Sequence, residues 1–186
     1  MPRLDLPSRI ETERLFLRRL RYEDAEEIFY AYASKPEATK YLSWPTHQSI
    51  LDTERFLRNT QVGWSTGTDY SFSIRLKETF RLIGSIGAMN DQGKIQFGYV
   101  LSPVLWNHGY ATEAVQKLME VLRQQPEVYR IGTFVDAENF ASQRVLEKSG
   151  FVEEARLPDW YRFVNQANQP RDCILYRLPL DRSVPD

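Results

Sequence analysis

One stretch constrains the chain more than any other: residues 97–122, FGYVLSPVLWNHGYATEAVQKLMEVL. It completes a strand-like run over 95–101. A turn follows through Ser102-Pro103 to Trp106-Asn107-His108-Gly109. Then Ala111, Val115, Leu118, Met119 and Leu122 recur with the rhythm of one buried helix face. A helix opens with N–H groups that have no partner inside it, and its dipole adds partial positive charge there. Such a start, just past a strand end, suits a pyrophosphate. The plainer reading is an ordinary strand–loop–helix connection whose Gly supplies backbone freedom. No G-x-G-x-x-G and no G-x-x-x-x-G-K-[ST] occurs, so the glycine fingerprints of dinucleotide and P-loop sites do not apply.

Around this stretch, the pattern predicts an alternation of strands and helices. Residues 14–20 (RLFLRRL) alternate as a half-exposed strand does. Glu23 and Asp24 suit the first turn of a helix carrying Ile28, Phe29 and Tyr32 and ending before Pro36. Residues 39–45 form a loop. A second helix is expected over 49–60, with Ser49 and Asp52 as a capping-box variant. Strands are expected at 70–76, 81–88 and 95–101, with Asp91-Gln92-Gly93 as a hairpin turn. Gly98 inside the last of these suggests a bulge or a close backbone approach. Residues 131–135 form a short strand. Residues 139–150 form a helix with an Asn cap and a Gly terminator. Segments 151–157, 161–164 and 173–178 supply the last strands, and the tail 183–186 is expected to fray.

The 186 residues suit a single domain, 1–186, with a core over about 10–180. A net charge of −1 without a basic run argues against a nucleic-acid surface. Cys173 is the only cysteine, so no internal disulfide forms, and no Cys/His cluster suggests a metal. It reads as a buried structural residue. The start MPRLDLPSRI is not a signal peptide and no apolar run reaches membrane-spanning length, so a soluble cytoplasmic protein is expected.

The segment G-Y-V-L-S-P followed by W-x-x-G-Y-A-T-E-A resembles the coenzyme A loop of the GNAT N-acetyltransferase superfamily, [Q/R]-x-x-G-x-[G/A]. Gly109 and Ala111 take the small positions, and Trp106 stands where Gln or Arg is commonest. A Trp there resembles the ribosomal-protein branch, which acetylates N-terminal amines. Asn107 and His108 replace the Gly-Lys frequent in that branch. A second block, N-x-x-S-x-x-V-L-E-K-x-G-F from Asn139, resembles the same superfamily in the expected order.

The resemblance implies an α/β (α+β) fold: a mixed, mostly antiparallel sheet of six or seven strands, helices on both faces, and a splayed central strand pair. It implies acetyl-CoA as co-substrate, with no metal. The carrier would meet Tyr99, Val100 and Leu101 on the splayed strand; Trp106, Asn107, His108, Gly109, Tyr110, Ala111 and Thr112 at the turn; and Asn139 and Ser142 on the later helix. The partner is an amine acceptor, with Tyr41 and Trp44 as candidate wall residues or plain core aromatics. The protein is expected as monomer or homodimer.

Acetyl transfer from a thioester to an amine sets three physical requirements. The amine must be neutral, and an α-amino group has a pKa of about 7.7–8.0. The carbonyl oxygen needs a placed donor. The departing thiolate, with a thiol pKa of about 8.5, benefits from a hydrogen bond. No covalent intermediate is needed. The expected oxyanion donor is the N–H of Tyr99 or Val100. The Tyr that many superfamily members use as acid is Leu146 here. Ser142 matches a Ser that lies near the thioester sulphur in the ribosomal-protein branch, its other reading being plain helix N-terminal chemistry, and Tyr161 is a second candidate acid. Glu154, at a position often acidic in that branch, is a candidate base; Glu153 beside it would point to the opposite face. A solvated surface carboxylate is the plainer account of either, with a water chain as the base instead. His47 and His108 are the only histidines, and the resemblance puts His108 at the pyrophosphate turn, away from the chemistry. Three readings follow: acetylation of a protein N-terminus, acetylation of a small amine (a polyamine, amino acid or aminoglycoside), or a CoA-binding module without turnover.

Overall fold

The computed structural model describes residues 3–180. One eight-stranded sheet runs in the order β1-β2-β3-β4-β5-β6-β8-β7. Its strands are β1 Arg9–Glu11, β2 Leu15–Arg19, β3 Asp69–Leu76, β4 Leu82–Asp91, β5 Lys94–Leu101, β6 Arg130–Asp136, β7 Val152–Arg162 and β8 Pro170–Arg177. All neighbours pair antiparallel except β5 and β6, which are parallel. The expected mixed, mostly antiparallel sheet is therefore present, with eight strands rather than six or seven. The added strand, β1, has three residues and buries only Ile10, too little to show a pattern. Segments 151–157 and 161–164 are one strand, β7. Its register with β8 shifts between Leu157 and Tyr161, where Asp159 takes a positive φ of 46°. The tail 183–186 lies outside the described residues.

The helices are α1 Ala25–Ile28, which runs on into a π turn at Phe29–Ala33, α2 Pro36–Thr39, α3 Ile50–Thr66, α4 Tyr110–Arg123 and α5 Phe140–Lys148. At the start of α3, the Asp52 carboxylate accepts the Ser49 N–H at 3.1 Å. The helix runs past the expected end to Gly67, whose φ of 78° closes it.

Alternation along the strands separates two cores. On one face, Leu15, Leu17, Phe72, Ile74, Ile86, Ile95 and Phe97 join the apolar stripe of α4. Ala114, Val115, Leu118, Met119 and Leu122 of that stripe are each at most 2% exposed. On the other face, Leu20, Leu82 and Val100 meet Ile28 and Tyr32 from the α1 segment and Leu57 from α3. The Tyr32 hydroxyl bonds Ser85 of β4 at 2.8 Å, tying that layer to the sheet. Each fully buried Leu or Ile contributes roughly 1.5–3 kcal/mol. The helices thus cover both faces, as the resemblance implied.

The parallel pair does not run its full length. Pairing covers Lys94↔Arg130, Ile95↔Ile131 and Gln96↔Gly132, and then stops. Beyond Gly132, β6 continues against β8 as far as Asp136↔Cys173, while β5 continues against β4 as far as Leu101↔Gly84. At the crotch, the Thr133 hydroxyl donates to the Phe97 carbonyl at 2.8 Å, where a further backbone rung would otherwise form. The two strands separate as a fork. Neither the bulge nor the close approach expected at Gly98 is present: β4 and β5 pair in unbroken register from Asp91↔Lys94 to Gly84↔Leu101, and a Cβ on Gly98 would meet nothing within 4 Å. The opening comes from β6 turning away, not from β5 buckling.

Candidate active site

Strand parity decides which backbone groups look into the fork. Phe97's carbonyl faces β6, and neighbouring residues alternate. Tyr99 and Leu101 therefore direct their N–H and C=O groups into the fork, whereas Gly98 and Val100 face β4. The approach of Val100 to β4 confirms the parity: a Cβ on Gly84 would lie 2.2 Å from the Val100 carbonyl oxygen. Of the two expected oxyanion donors, Tyr99 points its N–H into the opening and Val100 does not. Val100's side chain lies in the core on the α1–α3 face.

The turn after β5 closes over the fork's open end. The Trp106 indole donates to the Leu101 carbonyl at 3.1 Å. Asn107 has a φ of 64° and Gly109 a φ of 79°. Asn tolerates this left-handed conformation better than other residues with a side chain, so Asn107 has a backbone reason to be here. His108 bonds the Trp106 carbonyl through Nδ1 at 2.7 Å, and its ring stacks on Tyr110 at 5.7 Å. No side chain caps α4 at Gly109. The opening N–H groups at Tyr110, Ala111 and Thr112 fall in the turn that has no carbonyls before it to accept them.

Sequence reasoning did not find Arg14, which braces this turn from the start of β2. Its guanidinium donates to the His108 carbonyl at 3.0 Å and to Glu113 at 2.7 Å, and lies 4.6 Å from the centre of the Tyr110 ring. Partial burial of the Glu113 carboxyl raises its pKa, but the donors from Thr12 and Arg14 outweigh it and hold the group below the usual carboxylate range. Nothing in the local pattern around Arg14 signals a partner some 95 residues on.

The second block joins the first at the fork. Asn139 caps α5, its Oδ1 accepting the Ser142 N–H at 3.2 Å. The Ser142 hydroxyl lies 2.9 Å from the Tyr99 hydroxyl. Burial pushes the Tyr99 phenol up to about 12, against the pull of its bond to Ser142. Tyr99, Ser142 and Asn139 are thus brought together.

Glu154 is not part of this group. Its carboxylate binds the Arg130 guanidinium in a bidentate pair, and Arg130 sits opposite Lys94, at the closed end of the fork. That is five residues, about 16 Å, before Tyr99 along the strand. Hydrogen bonds from Arg130 hold the Glu154 carboxyl below its ordinary value, which makes it a poor proton acceptor. Exposed and ion-paired, Glu154 fits the surface-carboxylate account better than the role of base. Glu153 is ion-paired with Arg156 at 2.8 Å.

Tyr161 lies on the opposite face of the sheet from α4. Its ring packs on Phe134 at 5.1 Å and on Phe163 at 4.9 Å. Phe134 follows Thr133, the residue at the crotch. On this face, Asn165 from the β7–β8 loop donates to the carbonyls of Thr39 at 2.7 Å and Trp44 at 2.9 Å, and accepts the Thr46 N–H at 2.9 Å. Beside that clamp is an open cleft of about 560 Å³ lined by Pro36, Glu37, Lys40, Thr46, Asn165 and Gln166. Neither Tyr41 nor Trp44 lines it. Trp44 packs on His47 at 4.9 Å and on Phe56 at 6.2 Å, as a core aromatic does. Tyr41 is half-buried, with the Lys40 ammonium 4.8 Å from its ring centre. Cys173 is buried in β8 and its thiol is raised to about 11, chiefly by burial. Among the described residues, no group of His, Cys, Asp and Glu could hold a metal ion, and no helix is long and apolar enough to cross a membrane.

A forked parallel strand pair, with an uncapped helix start beyond it and one helix layer on each face, is the arrangement the acetyltransferase resemblance implied. The family model of the acetyltransferase (GNAT) domain matches residues 14–152, and the chain belongs to that family. It is an N-acetyltransferase, an acyl-transferring enzyme. The protein p20 of Bacillus licheniformis, described as an uncharacterized N-acetyltransferase, is 35% identical over 152 residues, 80% of this chain and 85% of p20. Among solved structures, the ribosomal alpha-N-protein acetyltransferase RimL in complex with coenzyme A superimposes with a TM-score of 0.84 at 16% identity, covering 93% of this chain and 98% of RimL. The microcin self-immunity acetyltransferase MccE, in complex with acetyl-CoA and AMP, gives 0.83 at 19% identity, covering 92% and 96%.

Proposed function

We propose that the protein transfers acetyl from acetyl-CoA to a primary amine, and that the amine is the N-terminal α-amine of a protein. The carrying observation is the end of β5–β6 pairing at Gln96↔Gly132, which leaves one strand's amides exposed beside an uncapped helix. The diphosphate lies on the N–H groups of Tyr110, Ala111 and Thr112. The pantetheine arm runs along β5 and pairs with the Tyr99 carbonyl and the Leu101 N–H, the groups left after Trp106 takes the Leu101 carbonyl. The thioester carbonyl receives the Tyr99 N–H as its negative charge develops, an effect worth roughly 3–4 kcal/mol per donor in acyl-transfer enzymes. The amine attacks from the Phe134–Tyr161 face, the C–N bond forms and the C–S bond breaks. Ser142 donates a hydrogen bond to the departing thiolate. The proton shed by the amine leaves through water, because Glu154 is held by Arg130 at the far end of the pair.

The acceptor-side cleft favours a peptide over a polyamine. It is open, and its charged lining is one acid, Glu37, and one base, Lys40. A polycation would gain little there. The similarity to RimL, a ribosomal alpha-N-protein acetyltransferase, supports the same choice. A screen of N-terminal peptides against spermidine, amino acids and aminoglycosides, read as CoA release, tests it. Peptide-dependent release is expected. Release only with small amines would replace the acceptor, and a protein that shows no thermal shift with acetyl-CoA or CoA would overturn the reading entirely.

A further inference from the structure

The Tyr99 hydroxyl has one hydrogen-bond partner in the structure, Ser142 Oγ at 2.9 Å. The contact spans 43 residues of sequence and joins the splayed strand to the first turn of α5. Tyr99 packs against the core that α4 closes, so its phenol is drawn away from water. Of the two hydroxyls, the phenol is much the stronger acid and hence the better donor. If it donates, the Ser142 oxygen is the acceptor and the Ser142 proton is free to turn elsewhere. The Asn139 cap fixes the other end of the arrangement by holding the Ser142 backbone at 3.2 Å.

We propose that Tyr99 is a positioning residue for the leaving group: its hydroxyl donates to Ser142 Oγ and so aims the Ser142 proton at the coenzyme A sulphur. This rests on the reading of Ser142 as the donor to sulphur. The two hydroxyls act in series, each bond polarising the next, as buried hydrogen-bond chains do. No proton changes hands between them. As the C–S bond breaks, its electron pair stays on sulphur as thiolate and is met by the Ser142 O–H. The thiolate later takes a proton from water, balancing the one shed by the attacking amine. A phenol whose pKa is raised by burial stays protonated, and so stays a donor, throughout the range in which amines are neutral. Here the backbone N–H of Tyr99 serves the carbonyl oxygen while its side chain serves the sulphur.

The test reads the thiol of bound CoA directly and needs no acceptor. CoA carrying a carbon-13 label on the methylene beside sulphur is bound to the full-length protein and titrated by NMR. The reference is free labelled CoA titrated under the same conditions. In the wild type, the bound thiol is expected at least half a pH unit lower. Ser142→Ala should raise it back, Tyr99→Phe should raise it part of the way, and the double variant should match Ser142→Ala alone. Fluorotyrosine at position 99, a stronger donor with the same shape, should lower it further, and it remains informative if the Phe variant binds CoA poorly. A Tyr99→Phe titration equal to the wild type, or no response to fluorotyrosine, overturns the pairing while leaving Ser142's role to be read from its own variant. A Ser142→Ala titration equal to the wild type removes the reading on which the pair rests.

Discussion

At the scale of single residues, the turn between β5 and α4 is held by contacts that a local pattern does not reveal. Trp106 stands where the resembling signature most often has Gln or Arg, and its indole occupies the Leu101 carbonyl at 3.1 Å. Replacing it by Phe keeps the ring and removes the donor. A neutral hydrogen bond of this kind is worth about 1 kcal/mol, so Trp106→Phe should lower stability by about that amount in a urea melt and raise the KM for acetyl-CoA more than it lowers kcat. Glu113 gives a prediction in pH. Its folded-state pKa lies below the unfolded value, so the unfolded chain binds more protons in the interval between them. The stability it contributes is complete above the ordinary carboxylate value and is lost as pH falls through the lowered one. Glu113→Gln should therefore flatten the acid limb of the stability curve, seen in melts from neutral pH down, whereas an unchanged acid limb would contradict the role given to Arg14 and Thr12. The Glu113 contacts were invisible in sequence for one reason. Arg14 sits in a run of alternating basic residues that explains itself as an exposed strand, and its partner is about a hundred positions away.

At the scale of elements, the fork depends on what β4 does as much as on what β6 does. Gly84 allows the Val100 carbonyl to approach so closely that a methyl group would lie 2.2 Å from it. Gly84→Ala must push β4 and β5 apart, and overpacking of a well-packed interior typically costs about 1–3 kcal/mol. The expected result is a lowered melting temperature together with weaker CoA binding. A variant that melts normally and binds CoA normally would show that the spacing is not critical. The Asn165 clamp makes a different prediction. It joins the loop after α2 to the β7–β8 loop on the acceptor side only. Asn165→Ala should raise the KM for the amine several-fold and leave that for acetyl-CoA within about twofold, and kinetics with each substrate varied in turn will separate the two. Sequence located the strand, turn and helix of the donor site because their periodicity is local. It expected a bulge or a close approach at Gly98, and the structure has neither, since the space beside that glycine is open. It also divided β7 at residues 158–160, where a positive φ at Asp159 interrupts the pattern without ending the strand.

For the whole molecule, the two cores divide the labour. The α4 layer, with its five nearly inaccessible apolar residues, fixes where the helix begins and therefore where a diphosphate can sit. The α1–α3 layer, hung on Tyr32 and Ser85, covers the opposite face, where the proposed reading puts the acceptor. The paired blocks at Gly109 and Asn139 made this architecture legible from sequence, because each marks one jaw of the fork. The Asn165 clamp beside the cleft was not legible, since it joins the α2 segment to the β7–β8 loop and neither carries a repeating pattern. Nor was the ion pair of Glu154 legible, since its partner Arg130 lies 24 residues earlier on another strand. The central claim is that the acyl carrier lies in the opening between β5 and β6. Amide hydrogen exchange, with and without saturating acetyl-CoA, tests it most directly. Added protection is expected at the amides of Tyr99, Leu101 and Tyr110–Thr112, with little change at Lys94–Gln96, where the strands are already joined. Protection absent from Tyr99 and the start of α4, or confined to another part of the sheet, would contradict it.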